Sequence, residues 1–233
     1  VHVMEQLRQP LPAATAVVPP LNAGDRLSRA EFERIYEAHP EIKKAELIEG
    51  VVYVQSRTHF AKHGEPHAAV VAWLGSFAAA TPGVCSGDNA TVRLDFEDAL
   101  LRLEPAQGGK SRVTEEDYLE GPPELVVEIA ASSAAYDLHD KRRVYQRSGV
   151  QEYLAVQIHE KHATWFVLRA GVYQALEPNE VGALKSETFP GLWLNAAALW
   201  SGNLPEMLAT LQQGLASPEH GAFAARLLVA TTP

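Results

Sequence analysis

Apolar positions come in short strand-like bursts through the middle of this chain, with helix-like spacing between and after them. Ser28 is placed as a helix N-cap, with Glu31 three residues on completing a capping box before Phe32, Ile35 and Tyr36. That helix should stop before Pro40. Ala45–Val54 (AELIEGVVYV) predicts two short strands around Glu49–Gly50. Glu65–Pro66 opens a second helix, whose Val70, Val71, Trp73, Leu74 and Phe77 give a broad apolar face. Thr81–Pro82–Gly83 ends it.

Val84–Ser86, Ala90–Leu94 and Ala99–Leu103 predict three consecutive strands, the last two linked only by residues 95–98. Residues 104–121 form a polar stretch, long for a loop in a compact domain. Leu125–Ala130 (LVVEIA) is a strand of the kind buried on both faces. Ser132 or Ser133 should cap a charged helix running to about Ser148, with Gly149 as its stop. Strands follow at Glu152–Gln157, His162–Leu168 and Val172–Ala175, the last two joined by a turn over 169–171. Trp193, Leu194, Leu199 and Trp200 open a helical end, then Leu204–Leu215 and Pro218–Leu228 read as amphipathic helices. The order implies a mixed α/β domain with a central sheet. Residues 1–25 form a Pro/Ala-rich lead-in, 26–200 the domain, and 201–233 a C-terminal helical extension.

Composition narrows this only slightly. A chain of 233 residues with 46% hydrophobic and 21% charged residues can bury a sizeable core. The net charge of −9 argues against non-specific nucleic-acid binding through bulk charge. It leaves open an acidic metal site that recruits phosphate. The lone Cys85 excludes an intrachain disulfide and suits a reducing cytosol. No apolar run nears the ~20 residues of a membrane span, and no secretory pattern opens the chain. A cytoplasmic protein without membrane contact is expected.

Two residues stand out chemically. Glu128 lies inside the apolar strand, on the side of Val126 and Ala130, opposite Leu125, Val127 and Ile129. A carboxylate there is costly to bury unless it is paired or bound to a metal. A nearby arginine would satisfy it structurally; a cation would make it a ligand. Lys141, on the following helix, has Asp137 four residues before it, the favourable order for a helical ion pair. With Asp140, Arg142 and Arg143 it reads by itself as a solvated face. If the helix packs back over its strand, the lysine could instead reach Glu128, and the two could position water.

Other motifs carry less. His59, His63 and His67 have helical spacing, but Gly64 and Pro66 interrupt it, leaving His67 a packing or capping role. Gly108–Gly109–Lys110–Ser111 resembles the end of a phosphate loop without its upstream glycine. Cys85 has no partner motif, and the four tryptophans are scattered as core residues are.

The chain resembles the Uma-type restriction endonuclease family of the PD-(D/E)XK superfamily. The likeness rests on AELIEGVVYV at 45–54, His67, ATVRLD at 90–95, ALLRLEP at 99–105, and above all GPPELVVEIAASSAAYDLHDKRRVYQRSGVQEYLAV at 121–156. In the last block a strand Glu is followed by Asp-x-x-Asp-Lys, a Tyr, and Gly-Val-x-Glu-Tyr. The resemblance implies a restriction-endonuclease-like α/β fold and a Mg²⁺-dependent (or Mn²⁺-dependent) nuclease acting on DNA, expected as a homodimer. It implies that Asp98 and Glu128 bind the metal, that Lys141 orients water and stabilises charge on the phosphate, and that Glu46 assists. The superfamily's usual lysine position, two after the Glu, is Ala130 here. The Pro-Asp pair expected before residue 99 is also altered: there is no Pro, Asp98 matches best, and Asp95 is the fallback. A trimmed hairpin, or residues missing before Ala99, would account for this. An inactive relative serving as a binding or dimerisation module is the rival expectation.

Overall fold

The computed structural model describes residues 18–42, 45–54, 64–92, 96–115, 117–130 and 135–230. Helix α1 (Arg29–Ala38) begins at the expected capping box: Ser28 accepts from the Glu31 N–H, and the Glu31 carboxylate accepts from the Ser28 N–H at 2.9 Å. Those Ser28 donors hold the Glu31 carboxyl below the usual range. Strands β1 (Ala45–Ile48) and β2 (Val51–Val54) form an antiparallel hairpin. Its turn residues Glu49 and Gly50 have φ of 52° and 79°. Two left-handed residues match the strand twist in a two-residue hairpin. Leu47 and Val52 bury against Leu21 and Ile35, joining hairpin and α1 in a small core.

Among the described residues the main sheet has eight strands in the order β10-β9-β8-β7-β4-β3-β6-β5. They are β3 (Val84–Val92), β4 (Phe96–Leu103), β5 (Arg112–Val113), β6 (Leu119–Glu120), β7 (Leu125–Ala130), β8 (Glu152–Gln157), β9 (His162–Arg169) and β10 (Val172–Ala175). Pairings β7–β8 and β3–β6 are parallel and the others antiparallel, so the sheet is mixed. The parallel β7–β8 pair requires a crossover, supplied by α3 (Ala135–Ser148).

Strand β7 is covered on both faces. Leu125, Val127 and Ile129 join the large core formed with α2 (Glu65–Ala80), α4 (Ala196–Trp200), α5 (Leu204–Leu215) and α6 (Pro218–Ala230). Trp73 of α2 packs edge-on against Trp165 at 5.8 Å, both fully buried. Val126 and Ala130 face a second core with Leu100, Tyr145, Val150 and Tyr153. Alternation along one strand thus separates a helix-packed face from the face covered by α3.

Three sequence expectations are corrected. Val84–Ser86 and Ala90–Leu94 do not form two strands. Residues 84–92 are one strand whose register shifts between Gly87 and Ala90, and the polar SGDN sequence across this shift hides its continuity. Residues 104–121 hold more than a loop: a 3₁₀ turn at Pro105–Gln107 is followed by β5 and β6, which extend the sheet. Buried Glu124 ties the stretch down, accepting from the Leu103 N–H at 2.7 Å and the Lys110 N–H at 3.2 Å. Gly109 serves close packing here, since a Cβ would lie 2.0 Å from the Leu103 carbonyl oxygen. Trp193 and Leu194 do not begin a helix. They lie in β12 (Trp193–Asn195), paired with β11 (Ala183–Lys185), and α4 starts only where Asn195 caps the Ala198 N–H at 3.1 Å. A three-residue strand is too short to show its own period. The proposed caps Ser132 and Ser133 lie outside the described residues.

Candidate active site

Helix α3 follows β7 and lies over its Glu128 face. On α3, Lys141 and Tyr145 are one turn apart and both buried, whereas Arg143 and Arg147 on the opposite side are exposed. The Lys141 side chain therefore points inward. Its Nζ lies 2.9 Å from Glu128 Oε1 and 2.9 Å from Glu46 Oε2, with side-chain exposures of 4% for the lysine and 9% and 3% for the two glutamates. The second Glu128 oxygen accepts from the Tyr153 hydroxyl at 3.0 Å. Glu46 reaches the site because β1 packs against both β4 and α3.

Three of the four expected site residues thus converge. The fourth, Asp98, belongs to β4, which pairs antiparallel with β7 as Ala99–Val127, Leu100–Val126 and Leu101–Leu125. That pairing ends at Ala99–Val127, one residue short of Asp98 on β4 and of Glu128 on β7. The Asp98 side chain lies outside the described residues, as does the fallback Asp95. Phe96, Glu97 and Asp98 of the expected link belong to β4, Val92 pairs with Phe96, and residues 93–95 lie outside the described residues.

The charged residues around Lys141 divide as a solvated face does. Asp140 pairs with Arg143, Arg147 with Glu49 at 2.7 Å, and the Arg142 guanidinium sits 5.3 Å over the Phe166 ring. The side chain of Asp137 lies outside the described residues.

Glu152 is a buried carboxylate to which sequence reasoning gave no role of its own. Its oxygens accept from Trp165 Nε1 (2.9 Å), the Ser186 hydroxyl (2.7 Å) and the Glu187 and Thr188 N–H groups (2.7 Å each). Burial pushes this carboxyl up against the pull of those donors. Four donors, with no ion pair to it among the described residues, make it a clamp between β8 and the 186–188 turn. His67 pairs with Asp88 at 3.0 Å, linking α2 to β3. Burial pushes the Cys85 thiol up, the opposite of an activated nucleophile. A cavity of about 410 Å³ lined by Ile158, Leu199, Trp200 and Met207 shares no residue with the Lys141 cluster.

Glu46 and Glu128 both face the Lys141 ammonium, and carboxylate oxygens attract cations. Hard carboxylate oxygens suit Mg²⁺ or Mn²⁺. Among the described residues, no group of three His, Cys, Asp or Glu that could hold a metal ion is gathered. Burying three charges costs several kcal/mol per ion, and well-packed apolar residues often serve stability as well or better.

A mixed sheet flanked by helices thus joins an acidic strand residue to a lysine from the crossover helix. The chain belongs to the Uma2 family, described as "Putative restriction endonuclease", whose profile matches residues 29–197. Its fold resembles the crystal structure of "a putative nuclease belonging to DUF820" from Anabaena variabilis ATCC 29413. That likeness has a TM-score of 0.56 and 17% identity, covering 75% of this chain and 97% of the other. No curated protein matches the chain. Among the described residues no helix is long and apolar enough to cross a membrane.

Proposed function

We propose that this chain is a nuclease that hydrolyses DNA phosphodiester bonds with Mg²⁺ or Mn²⁺, Asp98 and Glu128 holding the cation. The observation that carries the reading is Lys141 Nζ set 2.9 Å from carboxylates on two separate elements. When bound, the cation supplies Lewis-acid charge that polarises the phosphate. Lys141 donates to the attacking water, fixes its line of approach and offsets the charge that builds on the phosphate. Glu46 acts through Lys141, holding the ammonium in place. Ala130 leaves the strand position of a lysine empty, and the longer reach from α3 delivers the same group. A cytoplasmic homodimer is the setting we propose for this activity.

The rival reading, an inactive nuclease fold used as a binding module, is favoured by one observation: all three charged side chains are almost wholly buried. Cleavage of plasmid and single-stranded DNA with Mg²⁺ or Mn²⁺ separates the two. The native chain should cleave. Glu128→Ala and Lys141→Ala should each lower the rate by about 100-fold or more, the scale of losing one strong electrostatic stabiliser. Activity that survives Glu128→Ala sinks the site. A folded native chain that neither cleaves DNA nor binds the cation leaves the binding module.

A further inference from the structure

Tyr153 is fully buried on β8, and its hydroxyl donates to Glu128 Oε2 while Lys141 holds Oε1. Strand β8 runs parallel to β7 with Tyr153 beside Val126, so its side chain shares the face on which Glu128 stands. The ring is fixed from two sides. Tyr145 meets it edge-on at 4.9 Å, and Phe166 stacks on it at 6.0 Å with 12° between the planes. Tyr145 is one helical turn beyond Lys141, so a single aromatic wedge sets both α3 and the hydroxyl that holds Glu128. A buried tyrosine hydroxyl needs a partner, and a backbone carbonyl can serve. Tyr173 in the same cluster does this with the Val150 carbonyl at 2.9 Å. Tyr153 instead donates to the carboxylate that the proposed function makes a metal ligand.

We infer that Tyr153 is a positioning residue that orients Glu128 for the divalent cation. It touches neither cation nor DNA; it holds the Glu128 carboxylate in one rotamer as an acceptor. The inference rests on the reading of Glu128 as a cation ligand, and its test reports on both. Mn²⁺ binding without DNA is measured by calorimetry for the native chain and for Tyr153→Phe, Tyr173→Phe and Glu128→Ala, with Tm recorded for each. Tyr153→Phe keeps the ring and should weaken Mn²⁺ affinity about tenfold or more, as loss of an outer partner of a metal ligand does. It should also lower kcat for DNA while leaving KM near the native value. Tyr173→Phe should leave Mn²⁺ affinity unchanged. Native affinity in Tyr153→Phe, with binding abolished in Glu128→Ala, overturns the inference and leaves the nuclease reading standing. Equal weakening in Tyr173→Phe also overturns it, since general loosening of the aromatic cluster would then be the cause. No Mn²⁺ binding by the native chain, or native binding in Glu128→Ala, overturns the nuclease reading and this inference with it.

Discussion

Lys141 carries a full charge into a place where water barely reaches, and its surroundings explain why it stays. Its ammonium sits between Glu46 and Glu128. Lys141→Met would keep most of the volume and leave two buried carboxylates without that cation. Breaking a buried pair from one side costs about 3–5 kcal/mol, against about 0–1 for an exposed one. Urea unfolding in EDTA should show a loss in the larger range. A loss below ~1 kcal/mol would place the lysine in solvent and undo the geometry of the site. At this scale the sequence was informative about Glu128, because a carboxylate within LVVEIA conflicts with its neighbours. It was ambiguous about Lys141, whose neighbours Asp140, Arg142 and Arg143 do behave as a solvated face.

At the scale of elements, β8 does two jobs with adjacent residues. Tyr153 faces the Glu128 side, while Glu152 faces the other way and collects four donors from β9 and the 186–188 turn. Glu152→Gln replaces one accepting oxygen with an amide NH₂, which must confront donors already in place. Leaving buried donors unsatisfied costs about 1–3 kcal/mol, so the thermal midpoint should fall while Glu128-dependent Mn²⁺ binding stays. A variant as stable as the native chain would show that the clamp contributes nothing. Elements with a clear period were legible: α1 from its capping box, β7 from its apolar run, α3 from its charges and the Gly149 stop. The strand β3 was not, since residues 86–89 are polar and lie across a register shift. Nor was β12, whose three residues run directly into a helix.

Across the whole molecule, the C-terminal helices are part of the main core. Met207, Leu211, Phe223 and Leu227 are buried in the same cluster as Trp73, Val127 and Trp165. The fully buried Leu211 tests this directly: Leu211→Ala should cost about 2–5 kcal/mol, measured by denaturant unfolding. A chain ended after residue 200 should fail to fold, with loss of the cooperative transition. A cooperatively folded truncated chain would show that α5 and α6 are dispensable.

The sequence by itself determined the local terms where the period is clear: α1, β7 and α3, which face of β7 carries Glu128, and that a lysine stands on the crossover helix. Those depend on alternation, capping and turn chemistry within a few residues. Only the tertiary structure decided that Lys141 turns inward, that Glu46 meets it from the β1–β2 hairpin, and that Tyr153 holds the second oxygen of Glu128. It also fixed the register of β4 on β7 through Ala99–Val127, which depends on which faces the whole sheet buries. These relations join residues far apart in the chain, and burial of both faces of the sheet selects them, which no local pattern encodes.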